Sequence, residues 1–236
     1  ITVNDVNDPP VATSVAIPTA EDTPVSVNLT GTDVDGTITS VTVTSLPPPS
    51  EGVLYMPDGT TPVTANTPID PADAASLVFK PADNFFGPVV IPFFVTDDDG
   101  GESVPGEALI NVGDVNDPPV ATPSTSSGDE ERPIVINLTG TDADGTVDFV
   151  TVTALPPTTQ GILYMPDGTT PGTSNTPSSP TDAVNLVFKP ATNFNGDVTI
   201  PFTVTDNDGG VSAPANEVIT VNDVNDPPVA TSVAIP

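Results

Sequence analysis

The chain has no cysteine, no histidine and no tryptophan, and only three cations, Lys80, Arg132 and Lys189, against 32 carboxylates. Without cysteine there are no disulfides and no thiolate metal sites. Without histidine the usual zinc ligand and the commonest general base are both missing. A formal net charge of -29 over 236 residues excludes nucleic-acid binding through a basic patch, and an anionic leaflet would repel such a surface. No run of about 18 apolar residues occurs, so no direct membrane insertion is expected. With 31 prolines and 18 glycines, long helices are disfavoured. Frequent Thr and Val call instead for short strands broken by turns. The regular spacing of Val, Ile, Leu and Phe marks folded modules, not a disordered chain. A signal peptide is also missing, and the sequence starts and stops inside a repeated phrase, as expected of an excised segment.

What is present is a repeat. GVLYMPDGTTP (Gly52 to Pro62) returns as GILYMPDGTTP (Gly161 to Pro171), a displacement of 109 residues, and LVFKPADNFFG and IPFFVTDDDGG return at the same displacement as LVFKPATNFNG and IPFTVTDNDGG. At twice that displacement residues 1–18 recur unchanged as 219–236. Asp-x-Asn-Asp-Pro-Pro punctuates the units at Asp5, Asp114 and Asp223. The expected organisation is a linker from a preceding repeat (1–8), repeat 1 with its linker (9–117), repeat 2 with its linker (118–226) and the start of a third (227–236). Each repeat is long enough for its own core, so the units are beads and do not depend on neighbours as short solenoid repeats do.

Period-two alternation predicts the strands. Val25, Val27 and Leu29 alternate with polar residues, as do Val41 and Val43, and Ile91, Phe93 and Val95 form an inward row kept in the second copy as Ile200, Phe202 and Val204. Further strands are expected near Val11 to Ile17, Gly52 to Met56, Leu77 to Phe79 and Leu109 to Val112. About seven strands in roughly 100 residues fits an all-β fold of two tandem immunoglobulin-like β-sandwiches, with a jelly roll as the alternative.

Following the chain up and down such a sandwich places the acids. The linker, the loop after the second strand and the loop after the penultimate strand share one end of a repeat; the corner after the first strand lies at the other. The linker groups are Asp5, Asn7 and Asp8; Asp114, Asn116 and Asp117; and Asp223, Asn225 and Asp226. The loop groups are Asp33, Asp35, Asp97 and Asp99 in copy one and Asp142, Asp144, Asp206 and Asp208 in copy two, with Glu21 and Glu130 at the corners. Carboxylates gathered this way repel strongly unless a divalent cation sits among them. Six to eight hard oxygens from flexible loops suit Ca2+, whereas Mg2+ keeps more water.

Each motif alone has a plainer reading. Asp-x-Asp-Gly is a common turn, Met56 to Gly59 and Met165 to Gly168 read as hairpin turns, and Asn-Asp-Pro-Pro is a stiff linker. Their convergence is what points to metal. Asp83, Asp98, Asp70 and Glu51 become Thr192, Asn207, Ser179 and Gln160 in the second copy and are expected to be surface charge, with Glu51 and Gln160 as further oxygen donors left open.

Taken together, Asp-x-Asn-Asp in the linker, Asp-x-Asp in the loop after the second strand, Asp before Gly-Gly, and Glu at the corner resemble the calcium scheme of cadherin repeats. Glu-Asp-Thr-Pro, Leu-x-Phe-x-Pro-x-x-Asn-Phe-x-Gly and Val-Asn-Asp-x-Pro-Pro are similar to bacterial cadherin-like extender repeats of giant repeats-in-toxin and biofilm adhesins. The resemblance implies calcium at the linkers, an elongated monomeric rod whose partners are neighbouring repeats, a bacterial cell-surface location and type I secretion. The animal Leu-Asp-Arg-Glu signature is missing; Ala82-Asp83-Asn84 and Ala191-Thr192-Asn193 stand nearest its place.

Three functions compete. A structural extender stiffened by calcium fits the motifs best. A calcium-dependent carbohydrate- or protein-binding adhesion module is the alternative, although only Tyr55 and Tyr164 offer a hydroxylated ring. An enzyme is not expected, because the turn and metal readings account for the acids.

Overall fold

The computed structural model describes residues 6–228 and 230. The chain divides into two compact units, Ile1–Val115 and Asn116–Pro236. Asp5, Val229 and residues 231–236, and with them most of the expected start of a third repeat, lie outside the described residues.

Unit one runs β1 (Val11–Thr13), β2 (Val15–Ala20), β3 (Val25–Val27), β4 (Thr30–Thr32), β5 (Ile38–Val43), β6 (Gly52–Tyr55), β7 (Pro68–Ile69), α1 (Pro71–Ala74), β8 (Leu77–Pro81), β9 (Gly87–Asp97) and β10 (Gly106–Gly113). A five-stranded sheet of order β2-β10-β9-β5-β7 accompanies a three-stranded sheet β3-β8-β6, and β1 pairs with β4. Every strand expected from alternation is present. The first two are each broken: the first at Ser14, the second around Asn28 and Leu29, so that β1 and β4 pair separately from β2 and β3.

Unit two repeats this with β11 (Val120–Thr122), β12 (Ser124–Asp129), β13 (Ile134–Ile136), β14 (Thr139–Thr141), β15 (Val147–Val152), β16 (Gly161–Tyr164), β17 (Pro177–Ser178), α2 (Pro180–Ala183), β18 (Leu186–Pro190), β19 (Gly196–Asp206) and β20 (Ala215–Asn222). Both units are β-sandwiches, and among the described residues no helix is long and apolar enough to cross a membrane.

The inward rows carry the core. Ile91, Phe93 and Val95 of β9, and Ile200, Phe202 and Val204 of β19, are fully buried, alongside Phe79 and Phe188 from the opposite sheets. Pro92 and Pro201 sit inside long central strands where proline is usually excluded. They are tolerated because pairing with β5 and β15 ends one residue earlier, at Val43 and Val152. Their carbonyls still accept from Thr44 and Thr153 at 3.0 and 2.9 Å.

Three register facts decide where loops lie. Val11 opposes Thr32, which brings the chain before β1 beside the loop after β4. Ile38 opposes Asp97 across a bulge, which joins that loop to the one after β9. Finally β2 runs parallel to β10 with Ala20 opposite Gly113, so the corner after β2 meets the chain leaving β10. The same pairings recur in unit two as Val120 with Thr141, Val147 with Asp206, and Asp129 with Asn222.

The copies differ inside the sandwich. Val15 and Ile17 of β2 pack against the first core, whereas the matching positions of β12 are Ser124 and Ser126. Opposite Ser124 stands Glu217, fully buried where the first repeat has Ala108. Its Oε2 accepts a very short hydrogen bond from Ser124 Oγ, and Oε1 has no partner. An uncompensated buried carboxyl oxygen is costly, and replacing both partners by apolar groups removes that cost. The pair Glu217→Ala with Ser124→Val, which restores the first repeat's residues, is therefore expected to stabilise unit two by about 1–3 kcal/mol. A lowered melting temperature for the double variant would contradict this.

Candidate metal centre

At the upstream end of unit one, Asn7 Nδ2 donates to Asp97 Oδ2 at 3.0 Å, and the backbone N–H of Asp8 donates to Asp35 Oδ2 at 3.0 Å. Asp97 is 2% exposed; its Oδ1 also accepts from the N–H groups of Asp99 and Gly101 at 2.9 and 2.7 Å. The Asn7 amide, helped by the backbone of Gly101, Asp99 and Gly100 against the effect of burial, holds its carboxyl below the usual range. Asp33 caps the N–H of Val34 at 2.7 Å, while its Oδ2 is buried without a partner. Burial first, and then the Asp35 carboxyl, push Asp33 upwards.

Unit two builds the same arrangement from its own residues. Asn116 Nδ2 donates to Asp206 Oδ2 at 3.0 Å, and the N–H of Asp117 donates to Asp144 Oδ2 at 2.9 Å. Asp206, 2% exposed, accepts at Oδ1 from the amides of Asp208 and Gly210 at 2.9 and 2.7 Å. Burial acts to raise Asp206, but Asn116 and the amides of Gly210, Asp208 and Gly209 outweigh it and hold the carboxyl low. Asp142 is raised by burial and then by Asp144 and Asp206. Both of its oxygens, and Oδ1 of Asp144, are buried and unpartnered.

A glycine fits these loops because there is no room for more. A Cβ on Gly210 would collide with Asp206 Oδ2 and lie 2.7 Å from Asn116 Nδ2, and Gly101 faces the same obstruction at 2.6 and 2.7 Å from Asp97 Oδ2 and Asn7 Nδ2. The side-chain contact between linker and loop depends on that bare backbone.

At the downstream end the corner glutamates meet the departing chain. Glu21 Oε1 accepts from the N–H of Val115 at 2.6 Å, and Glu130 Oε1 from Val224 at 2.7 Å. Both are buried, at 4% and 6% exposure, and each has an unpartnered Oε2. A carboxylate oxygen of Asp114 lies within 4.8 Å of one on Glu21. Asp22 and Glu131, next in sequence, adopt left-handed backbone at φ 54° and 61° to turn the corner.

Within unit one, then, Asn7, Asp8, Asp33, Asp35 and Asp97 gather at one end, and Glu21 with Asp114 at the other. In unit two Asn116, Asp117, Asp142, Asp144 and Asp206 gather, and Glu130 holds Val224. Asp99 and Asp208 enter these clusters through backbone N–H groups, with exposed side chains. Asp223 accepts from Asn195 Nδ2 at 3.1 Å, while Asn225 and Asp226 are exposed. Asp5 lies outside the described residues.

Two pairs expected as surface charge are exposed at Asp98 and Asp70 and also accept backbone hydrogen bonds. Asp98 Oδ1 accepts the N–H of Thr37 at 2.7 Å, and Asn207 Oδ1 that of Thr146 at 2.7 Å, so this position requires an oxygen acceptor and not a charge. Asp70 and Ser179 are the N-caps of α1 and α2, each followed by proline at the first helical position. Sequence offered a signal for the second pair in Asp-Pro and Ser-Pro before a short Ala-containing run. The MPDG segments are turns as expected. Asp58 accepts the N–H groups of Thr60 and Thr61 at 2.8 Å and the Thr61 hydroxyl at 2.6 Å, and these bonds, the hydroxyl's first, lower its pKa to about 2. Above each turn a lysine covers the tyrosine, Lys80 4.9 Å from the Tyr55 ring centre and Lys189 4.7 Å from that of Tyr164.

Sandwiches whose linker side chains reach into their own loops define an immunoglobulin- or cadherin-like module. The chain belongs to the bacterial Ig domain family, whose model matches residues 7–105 and again 116–222. Among solved structures, EC1-2 of human protocadherin-24 in its form II crystal is similar at 17% identity over 94% of this chain and 100% of that chain, with a TM-score of 0.52. A second crystal structure of the same segment matches at 16% identity over 93% and 100%, TM-score 0.48. Drosophila N-cadherin EC1-3 matches at 15% identity over 92% of this chain and 69% of that chain, TM-score 0.29. The likeness at 0.52 concerns fold alone. No curated protein matches the chain in sequence.

Proposed function

We propose that the chain is a structural extender module of a bacterial cell-surface adhesin, in which Ca2+ bound at the linkers between repeats stiffens a monomeric tandem array. The observation that carries this reading is the set of buried carboxylate oxygens without a partner. Seven such oxygens occur among the described residues, on Glu21, Asp33, Glu130, Asp142 (both), Asp144 and Glu217. All but the last belong to residues singled out from sequence as ligands. Buried carboxylate oxygens without a hydrogen-bond partner are costly, and a divalent cation among them would satisfy them.

The ligands on this reading are the linker residues Asp5, Asn7, Asp8, Asp114, Asn116, Asp117, Asp223, Asn225 and Asp226, with the loop aspartates and corner glutamates named above. Calcium supplies positive charge that the chain itself lacks and accepts six to eight oxygens in irregular geometry. Within unit one Val115 is held by Glu21, and within unit two Asn116 is held by Asp206. A bound ion favours the state that presents its ligands together. Sugar binding on the tyrosines is disfavoured by the lysines that cover their rings. Export by a type I system follows the adhesin reading.

Small-angle scattering tests it directly. In calcium the maximum dimension of the particle is expected to be longer and better defined than in EGTA. Identical profiles in both would defeat the proposal.

A further inference from the structure

The two repeats build the same sheet with different outer faces. Along β9 the side chains of Pro88, Val90, Pro92 and Phe94 point away from the core, between the buried Val89, Ile91, Phe93 and Val95. Val90, 46% exposed, stands opposite Leu109 of β10, and Leu109 opposite the exposed Ala16 of β2. Phe94 opposes Thr42 of β5. An apolar row thus crosses three strands, β2, β10 and β9, and ends at Thr42 of β5, which is buried.

Position for position, the second repeat has Asp197 for Pro88, Thr199 for Val90, Thr203 for Phe94 and Thr125 for Ala16. Its inward residues Val198, Ile200, Phe202 and Val204 are as fully buried as their counterparts, and its strands keep the same register. Folding this sheet therefore does not require apolar residues at these four outward positions. Exposed apolar surface beyond what the fold needs is the usual mark of a contact surface.

We infer that this outer face of repeat 1 docks a polypeptide presenting apolar side chains together with a lysine or arginine. Glu107 specifies the charge. It lies on the same face, opposite Pro92 and two residues from Leu109, and the second repeat has the neutral Asn216 there. Glu107 and the apolar Pro88, Val90, Phe94 and Ala16 are replaced together in the second copy, whereas Leu109 and Pro92 stay apolar there as Val218 and Pro201.

A second copy of this chain is a poor occupant. It would bring another -29 of charge, and a twofold pairing of this face would set Glu107 near its own image. Two of its three cations are engaged, Lys80 with the Gly59 carbonyl at 2.7 Å and Lys189 over Tyr164, which leaves the exposed Arg132. Strand addition cannot occur at β9, which is flanked by β10 and β5 and offers no free edge. Contact must be made through side chains, with an apolar centre and a cation aimed at Glu107.

The experiment uses the 236-residue chain, 15N-labelled, in about 0.15 M NaCl to screen general attraction between peptide and acidic loops. The probes are a short amphipathic leucine and lysine peptide and a serine and lysine peptide of equal charge. The first is expected to shift the signals of Val90, Phe94, Leu109 and Glu107, and the second is not. Val90→Thr with Phe94→Thr and Glu107→Asn, each the residue that repeat 2 carries, should weaken binding at least about tenfold. The exposed Val90→Thr alone should produce part of that loss with an otherwise unchanged spectrum. Equal affinity for the triple variant, equal binding of both peptides, shifts confined to the acidic loops, or no binding at all would overturn the inference. So would sedimentation of the wild type as a dimer that the triple variant abolishes, which would make a second copy the occupant.

Discussion

Transferring calcium-loaded protein into EGTA is expected to lower its melting temperature by on the order of 10–20 °C. The size follows from mass action. A ligand present at about a hundred times its dissociation constant stabilises the state that binds it by about 2.7 kcal/mol. For a domain near 100 residues each kcal/mol moves the midpoint by about 4–8 °C. On the proposed reading the ion's hold would come from charge that nothing else relieves: Asp142 is pushed up by burial and by two neighbouring carboxyls, and both its oxygens lack partners. Differential scanning calorimetry at several calcium concentrations is the check. The midpoint should climb with the logarithm of free calcium, and magnesium at equal concentration should give a smaller rise, since it keeps its water and accepts few irregular oxygens. A midpoint indifferent to calcium would remove the ion from the proposal.

Much of this architecture is legible because the signals are of period two and are written twice. The inward triad of Ile91, Phe93 and Val95 is readable from alternation alone, and the second copy separates inward from outward by keeping the triad while changing Phe94 to Thr203. Strand parity then suffices to group loops by end, and hydrogen bonds within each unit join linker to loop at Asn7 and Asp97 and again at Asn116 and Asp206. The breaks in the first two strands were not legible. They arise where β1 and β4 leave the main sheets to pair with each other, a choice made by packing between strands distant in sequence.

The reading of Asp98 and Asp70 as surface charge fits their exposure but was incomplete for a different reason. Exchange of Asp for Asn or Ser loses charge but keeps an oxygen acceptor, and the backbone groups at Thr37 and Ala72 need only the oxygen. Comparing copies by charge therefore discards positions whose role is hydrogen bonding. Glu217 was missed because its site is apolar in the first repeat, where Ala108 and Val15 meet. Alternation marks the position as inward without saying what occupies it.

Substituting Glu21 separates a cation site from an ordinary structural hydrogen bond, because the expected effect changes sign with calcium. Glu21→Gln keeps an oxygen to accept the Val115 N–H, now at 2.6 Å, and replaces the buried, unpartnered Oε2 with an amide nitrogen. In EGTA the wild type holds a buried charge with no counter-ion beside the Asp114 carboxylate, and the variant removes that charge. The variant should then be more stable, by about 1–3 kcal/mol or on the order of 5–15 °C in the melting of repeat 1. With calcium saturating, the same substitution deletes a charged ligand, lowers affinity for the ion and leaves the variant below the wild type by a similar amount. A residue acting only as a backbone acceptor for Val115 would give small changes of one sign in both buffers. Only a carboxylate that faces a cation when one is available, and other carboxylates when it is not, makes the two melting curves cross.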